Sequence, residues 1–550
     1  LTLTLTPPVL QSPLPLIHPH MQELVTFLLL ILRTPTVEMN VKDSAALVLS
    51  QMADAKPRQF VKAGKLKETL GVLMELVAGY EGSAANALFN YQALDDEDED
   101  EDYDGPNPQS IAQSCMDNMA LSLPTKHTFP PLMELCNTFL GNPSPHMRKA
   151  AVAALGVMSE GCQEPIKARL GEILPKILEA GLAVDDSHHV RECACFCLGQ
   201  FAEHCQPEIL DHSDKVLPIV FQLLDDATDN VKGVSCYVLE MFCENLEPET
   251  VMPFLDPLMT RLVQMLHTPK KGIKARRGQG RWGKTGEMSV AAIAATAISA
   301  DVNFLPYLVT TCSMLGPLMA LTDEKLLTLR GRALECMGHI ALAVNKENFK
   351  PYTDACIVQA VEGLKIDSME LHEFSYTFFA NLAKVLGEDM GQYMGQLLPH
   401  LLSEIQESDG VDLDTLQERE AVFGDQDDDD DDEEFGSAYM NVRTAELDKK
   451  KAALVALGSL AEHAPRAFYP HLSHSMEVLI KKVEYWHGDV RTAVSSCLEW
   501  MVHVSHQAYP PETEWQRGQP TPLPAPTASL CGQVVDMLLT FMKDDIETQV

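Results

Sequence analysis

The chain has 550 residues and a formal charge of −37, with 46% hydrophobic and 6% aromatic residues. That apolar content excludes a chain disordered throughout, and the acidity argues against the basic footprint a duplex-binding surface needs, so no direct nucleic-acid binding is expected. Residues 95–104 and 425–434 hold nine carboxylates each; the remaining charge, −37 + 18 = −19, is still acidic and favours basic protein partners.

Residues 1–20 form an atypical Pro- and Thr-rich start without an initiator Met. Apolar residues at helical spacing begin at Met21. The clearest construction lies in residues 172–244, where the same pattern occurs twice: an apolar helix containing a proline, an Asp-Asp turn, and a second apolar helix. The turns are Asp185-Asp186 and Asp225-Asp226. In the second helix, Val190, Ala194, Cys197, Leu198, Phe201, Ala202 and Cys205 fall on one stripe of a 3.6-residue helix, which a strand's alternation cannot produce. One such pair buries too little to fold alone and must stack on copies.

The copies form a ladder. Second helices are expected near Val41, Pro108, Met147, Val190, Val231, Thr285, Leu329, Phe374, Lys449 and Val490. Six of the nine spacings fall at 39–45 residues, near the roughly 40–47 of helix-pair repeats. The three longer spacings each contain an insertion. The expected organisation is repeats at 21–93, an acidic loop at 94–107, repeats at 108–268, and a basic Gly-containing insertion at 269–284. Repeats follow at 285–406, then an acidic insertion at 407–447, repeats at 448–508, a Pro-rich linker at 509–528, and the first helix of a truncated repeat at 529–550. Prolines such as Pro175, Pro218 and Pro399 mark the first helices, either at the opening turn or, where deeper, as a kink. No apolar span approaches the ~20 residues of a membrane helix, so no membrane insertion is expected. The fourteen cysteines, without a CxxC, read as reduced buried thiols of a cytosolic or nuclear protein.

The fold class is therefore all-α, an α-solenoid of antiparallel helix pairs. The residues that carry a closer likeness are Val190, Arg191, Leu198, Gly199 and Phe201, then Phe304-Leu305-Pro306-Tyr307, and Arg330-Gly331-Arg332-Ala333-Leu334-Glu335. With the acidic loop followed by Met116-Asp117-Asn118-Met119, they resemble the HEAT-repeat importin-β (karyopherin-β) family. The order is most similar to the middle of an importin-4-type or importin-5-type receptor. The resemblance implies a right-handed superhelix and a cargo surface lined by second helices. It also implies release controlled by Ran-GTP, binding of phenylalanine-glycine nucleoporins between first helices, and shuttling between cytoplasm and nucleus. The matched cargo would be basic proteins such as histones or ribosomal proteins. The rival reading is a cytosolic HEAT-repeat scaffold subunit.

No nucleotide-binding, nucleophile-elbow or metalloprotease motif occurs, so no enzyme activity or cofactor is expected. His188-His189 beside Asp185 and Asp186, and His463, His471 and His474 with Glu462, read as polar turn residues rather than metal ligands. Arg191, Lys232, Arg330 and Arg491, one per repeat, are expected to pair with turn aspartates Asp186, Asp226, Asp323 and Asp489 and with free carbonyls. Val190, Leu198, Phe201, Val231 and Val490 are expected in the core. The candidate contacts for basic cargo or Ran are Asp95, Asp96, Glu97, Asp98, Glu99 and Asp100, with Asp427, Asp428, Asp429, Asp430, Asp431, Asp432, Glu433 and Glu434.

Overall fold

The computed structural model describes residues 17–79, 107–182, 187–267, 283–407, 432–483, 485, 487–511, 517 and 522–541. The described regular elements are helices, with no strand among them. By contacts the chain divides into two compact units, one reaching Ser299 and the other starting at Ala300.

In the first unit, first and second helices alternate: α1 (Met21–Arg33), α2 (Met39–Ala55), α3 (Leu66–Gly79), α4 (Pro108–Ser122), α5 (Thr125–Leu140) and α6 (Pro145–Val157). They continue through α7 (Leu170–Leu182), α8 (His188–His204), α9 (Ser213–Leu223), α10 (Asp229–Cys243), α11 (Leu255–His267) and α12 (Gly283–Ala300). The second unit holds α13 (Leu308–Leu318), α14 (Leu327–Gly363), α15 (Met369–Leu386), α16 (Gly391–Gln406), α17 (Asp432–His463), α18 (Leu472–Ile480), α19 (Gly488–Ala508) and α20 (Ala525–Phe541). Each unit is thus a stack of HEAT-type helix pairs. Helix α14 joins a second helix to the next first helix across Asn345, whose φ of 65° and ψ of 170° break the run.

Second helices are more deeply buried than a single apolar stripe requires. In α8 every residue from Glu192 to Gly199 is buried, as is Phe201. The reason lies in small residues facing aromatic ones. A Cβ added at Gly199 would lie 2.1 Å from the Tyr237 ring, one at Gly156 would lie 2.8 Å from Phe196, and one at Gly331 would lie 2.4 Å from Phe374. A glycine in one second helix therefore seats a ring from the next. The stripe picture missed this because it treats each helix as facing a single partner.

Successive first helices are linked by exposed polar pairs: Arg33 to Glu68 at 3.0 Å, Lys67 to Glu134, Lys176 to Asn137 at 2.8 Å. Such exposed pairs contribute little energy and mainly fix register. The first-helix prolines Pro130, Pro175, Pro218, Pro351 and Pro399 lie inside their helices. Of the two positions open for them, the deeper one applies, where each lacks the N–H for a backbone bond.

Three expectations need correction. Thr285–Leu318 is long and apolar enough to cross a membrane by length and composition, contrary to the sequence reading, but 72% of its most apolar window is buried within the chain. A 3-10 turn at Asp301–Tyr307, opened by Asp301 at φ 50°, interrupts it. The insertion expected at 407–447 has helical backbone from Asp432 onward, because α17 extends well before the repeat core. Helix α20 starts at Ala525, inside the stretch expected as linker.

Of the fourteen cysteines, thirteen are buried free thiols and Cys531 is half-buried. Burial pushes the Cys115, Cys195 and Cys236 thiols up to about 12, so they stay protonated and inert at neutral pH.

Candidate second-helix face

The proposed core positions lie where packing places them: Val190, Leu198, Phe201, Val231 and Val490 are each fully buried. The cationic row divides between the two kinds of partner expected of it, turn aspartates and free carbonyls, with Lys232 the exception. Arg191 closes on Asp226, in the turn of the following helix pair, through Nε–Oδ2 at 2.7 Å and Nη2–Oδ1 at 3.1 Å. Lys232 pairs with Asp229 in its own first turn at 3.2 Å. Arg330 donates to the carbonyls of Leu321 at 2.9 Å and Gln359 at 3.0 Å, while Asp323 instead accepts from the Lys325 amide. Arg491 donates to the Tyr485 carbonyl. Arginine's fork reaches carbonyls left at helix ends, which the one-per-repeat pattern alone could not rank against carboxylates.

His188 and His189 are the first residues of α8 rather than turn residues, with ring centroids 4.0 Å apart. His471 and His474 line a cavity of about 340 Å³ against Met394, Leu398, Pro399 and Leu402, between α16 and α18. Asp95, Asp96, Glu97, Asp98, Glu99 and Asp100, and Asp427, Asp428, Asp429, Asp430 and Asp431, lie outside the described residues. Asp432, Glu433 and Glu434 open the backbone of α17.

The chemistry that sequence reading did not single out sits on the second-helix face of the second unit. Arg332 and Glu335 project from α14, Glu370 and Glu373 from α15, and Asp448 from α17. Arg332 pairs with Glu335 at 3.1 Å and lies over the Phe374 ring at 4.8 Å. Burial, with the carboxylates of Asp448, Glu335 and Glu370, pushes Glu373 up to about 7; Arg332 offsets this only in part. A carboxyl with so little local cation is a place where an added positive charge is stabilised. Nearby His339 is depressed by burial, with Lys384 and Arg332 acting in the same direction and Glu335 against them. On α15, Asn381 is buried with its Nδ2 unpartnered.

Not every carboxylate here is short of cations. Burial alone would raise Glu404, but bonds from His372 and Lys449 hold it below the usual range. Lys449 lies 2.9 Å from Glu404, and Lys450 donates to the carbonyls of Glu404 and Glu407 at 3.1 and 3.0 Å. This cluster fastens the end of α16 to α17. The first unit carries a smaller crowd: burial and Glu160 push Asp117 up to about 6, with His204 pulling the other way. The signal available in sequence was Glu335, Glu373 and Asp448, one on each of three successive second helices; it is faint because they stand at different distances from the starts of their helices.

A family model for the HEAT-like repeat matches residues 145–201. Over 434 residues the chain is 29% identical to the probable importin subunit beta-4 of Schizosaccharomyces pombe, covering 76% of this chain and 39% of that relative. It is 28% identical to importin-4 of Homo sapiens, covering 91% of this chain and 46% of the human protein. The chain is thus similar to importin-β-type proteins. It spans less than half the length of these relatives. The crystal structure of Kap121p superposes with a TM-score of 0.73 at 19% identity, over 96% of this chain and 48% of that one, a likeness of fold. Kap121p has also been crystallised bound to Pho4p and to Nup53p. The relatives carry importin names.

Proposed function

We propose that this importin-β-type chain is part of a nuclear import receptor that carries basic proteins, such as histones or ribosomal proteins, and shuttles between cytoplasm and nucleus. The observation that carries the reading is the carboxylate crowd of Glu335, Glu370, Glu373 and Asp448, in which Arg332 is the one cation acting on Glu373 among the described residues. Lysine or arginine from an extended cargo segment supplies the missing charge. The acidic runs, from Asp95 to Asp100 and from Asp427 to Glu434, contact basic cargo or Ran. They steer association, and salt weakens them because the Debye length is about 8 Å at physiological ionic strength.

Release is controlled by Ran-GTP, and phenylalanine-glycine nucleoporins dock between first helices. The cavity between α16 and α18, floored by Met394, Leu398, Pro399 and Leu402, has the apolar lining that an aromatic side chain requires. The test is a pull-down of the receptor containing this chain with Ran loaded with GTP or GDP, with and without a lysine-rich cargo. Selective capture of Ran-GTP that displaces cargo supports the reading. Equal indifference to both nucleotides favours a cytosolic scaffold.

A further inference from the structure

The glycine seats of the second helices hold rings in place, and they differ in what covers the open side of the ring. Phe196 and Tyr237, seated at Gly156 and Gly199, are buried, and the Tyr237 hydroxyl is tied to Gln200 at 2.7 Å and Glu203 at 3.0 Å. Phe374, seated at Gly331, is covered by the chain's own cation, the guanidinium of Arg332 at 4.8 Å. Trp500 on α19 is seated against Gly458 of α17, its Cδ1 3.5 Å from where a Cβ would stand, and its edge meets His503 at 5.9 Å. It is only half-buried, and among the described residues no lysine or arginine lies over it.

The surroundings of Trp500 suit a cation. Val455, one turn before Gly458 on the same helix, is 50% exposed, and it is the one large aliphatic or aromatic side chain so exposed on the described second helices of this unit. Glu462 on α17 is one-third exposed, its carboxylate 3.5 Å from His463 Nε2, and Glu499, the residue before Trp500 in α19, is exposed. An indole held against a glycine, with an aliphatic neighbour and carboxylates on both helices, matches the stem and head of a basic side chain: the methylenes pack on the apolar atoms while the charge faces the ring and the acids.

We propose that Trp500, with Val455, Glu462 and Glu499, forms a second pocket for a lysine or arginine of the same extended basic segment. This rests on the reading that the second-helix face binds basic cargo, and it makes Trp500 a specificity-determining residue for it. The indole supplies what the carboxylate crowd at Glu373 does not, a contact that depends on the shape and stem of the cation and responds weakly to salt.

The test uses the full chain and a fluorescein-labelled lysine-rich peptide, with its fully lysine-acetylated form as comparator. Trp500→Ala weakens binding of the unmodified peptide about tenfold and leaves the salt dependence unchanged. Trp500→Phe retains most of the affinity, and Val455→Ser weakens it modestly. The acetylated peptide binds wild type and Trp500→Ala equally. If wild type binds the peptide and Trp500→Ala, shown by its melting curve to be folded, binds as tightly, the pocket assignment is overturned while the cargo reading stands. If Trp500→Ala is unfolded, Val455→Ser and Glu499→Gln decide: wild-type affinity in both overturns the pocket. If wild type fails to bind the peptide at low salt, both the pocket and the cargo reading fall.

Discussion

Arg191 and Asp226 join two successive helix pairs through a two-pronged ion pair, with Asp226 also accepting from the Thr228 amide at 2.9 Å and hydroxyl at 2.7 Å. Burial alone would raise Asp226, but the bonds from Arg191 and Thr228 hold it below the usual carboxylate range. In a stack without a single central core, such a link couples the stability of neighbours. Asp226→Asn is expected to cost about 1–3 kcal/mol at neutral pH. Because the folded pKa is lowered, the contribution is present above the unfolded value near 4 and disappears as pH falls through the folded one, so variant and wild type converge in acid. Hydrogen exchange should show the loss concentrated in α8 and α10, fading outward.

The glycine seats predict opposite signs for one substitution. Gly199→Ala puts a methyl 2.1 Å from the Tyr237 ring and should destabilise by about 1–3 kcal/mol. Gly458→Ala meets only ordinary contacts at 3.5 Å, so the gain in helix propensity, up to about 1 kcal/mol, should dominate. Thermal melting of the two variants separates them.

These seats also show what could be read from the chain. The apolar stripes and the spacing of the second helices announced the helix pairs, since period and repeat are local properties. The partners of those glycines, Tyr237 and Trp500, stand about forty residues on, and nothing local marks them as partners. Likewise Arg191 was legible as a repeat position, but its pairing with the next turn was not. The carboxylate crowd joins Glu335 to Asp448 across two helix pairs and emerges only once the helices stack.

Asn345 predicts a gain. Its φ of 65° and ψ of 170° lie in a region that suits glycine, and the kink between the two halves of α14 holds it there. Asn345→Gly should raise stability by about 1 kcal/mol despite losing the 3.3 Å bond from Asn348, whereas Asn345→Ala should lower it. Denaturant titration of both variants is the check.

Glu373 makes a pH-dependent prediction. A carboxyl whose folded pKa is raised to about 7 contributes stability that is full below its unfolded value near 4 and is lost as pH rises through 7. Glu373→Gln should therefore melt higher than wild type at pH 8 and alike at pH 4. Melting temperatures that differ equally at both values would remove the electrostatic account of this cluster.

The acidic insertion predicts a kinetic effect. Replacing residues 425–434 with Gly and Ser should leave melting unchanged and slow association with a polycationic cargo at low salt, with the difference shrinking as salt rises. A linker without a binding role gives equal rates at every salt concentration, which stopped-flow association resolves.

The central claim, that the second-helix face of the second unit takes a basic segment, is tested most directly by charge reversal at its centre. A labelled lysine-rich peptide is titrated into the full chain and into Glu373→Lys with Asp448→Lys, after melting curves confirm that both are folded. The account predicts at least about thirtyfold weaker binding by the reversed variant, together with a shallower salt dependence. Equal affinity in the two proteins would contradict it.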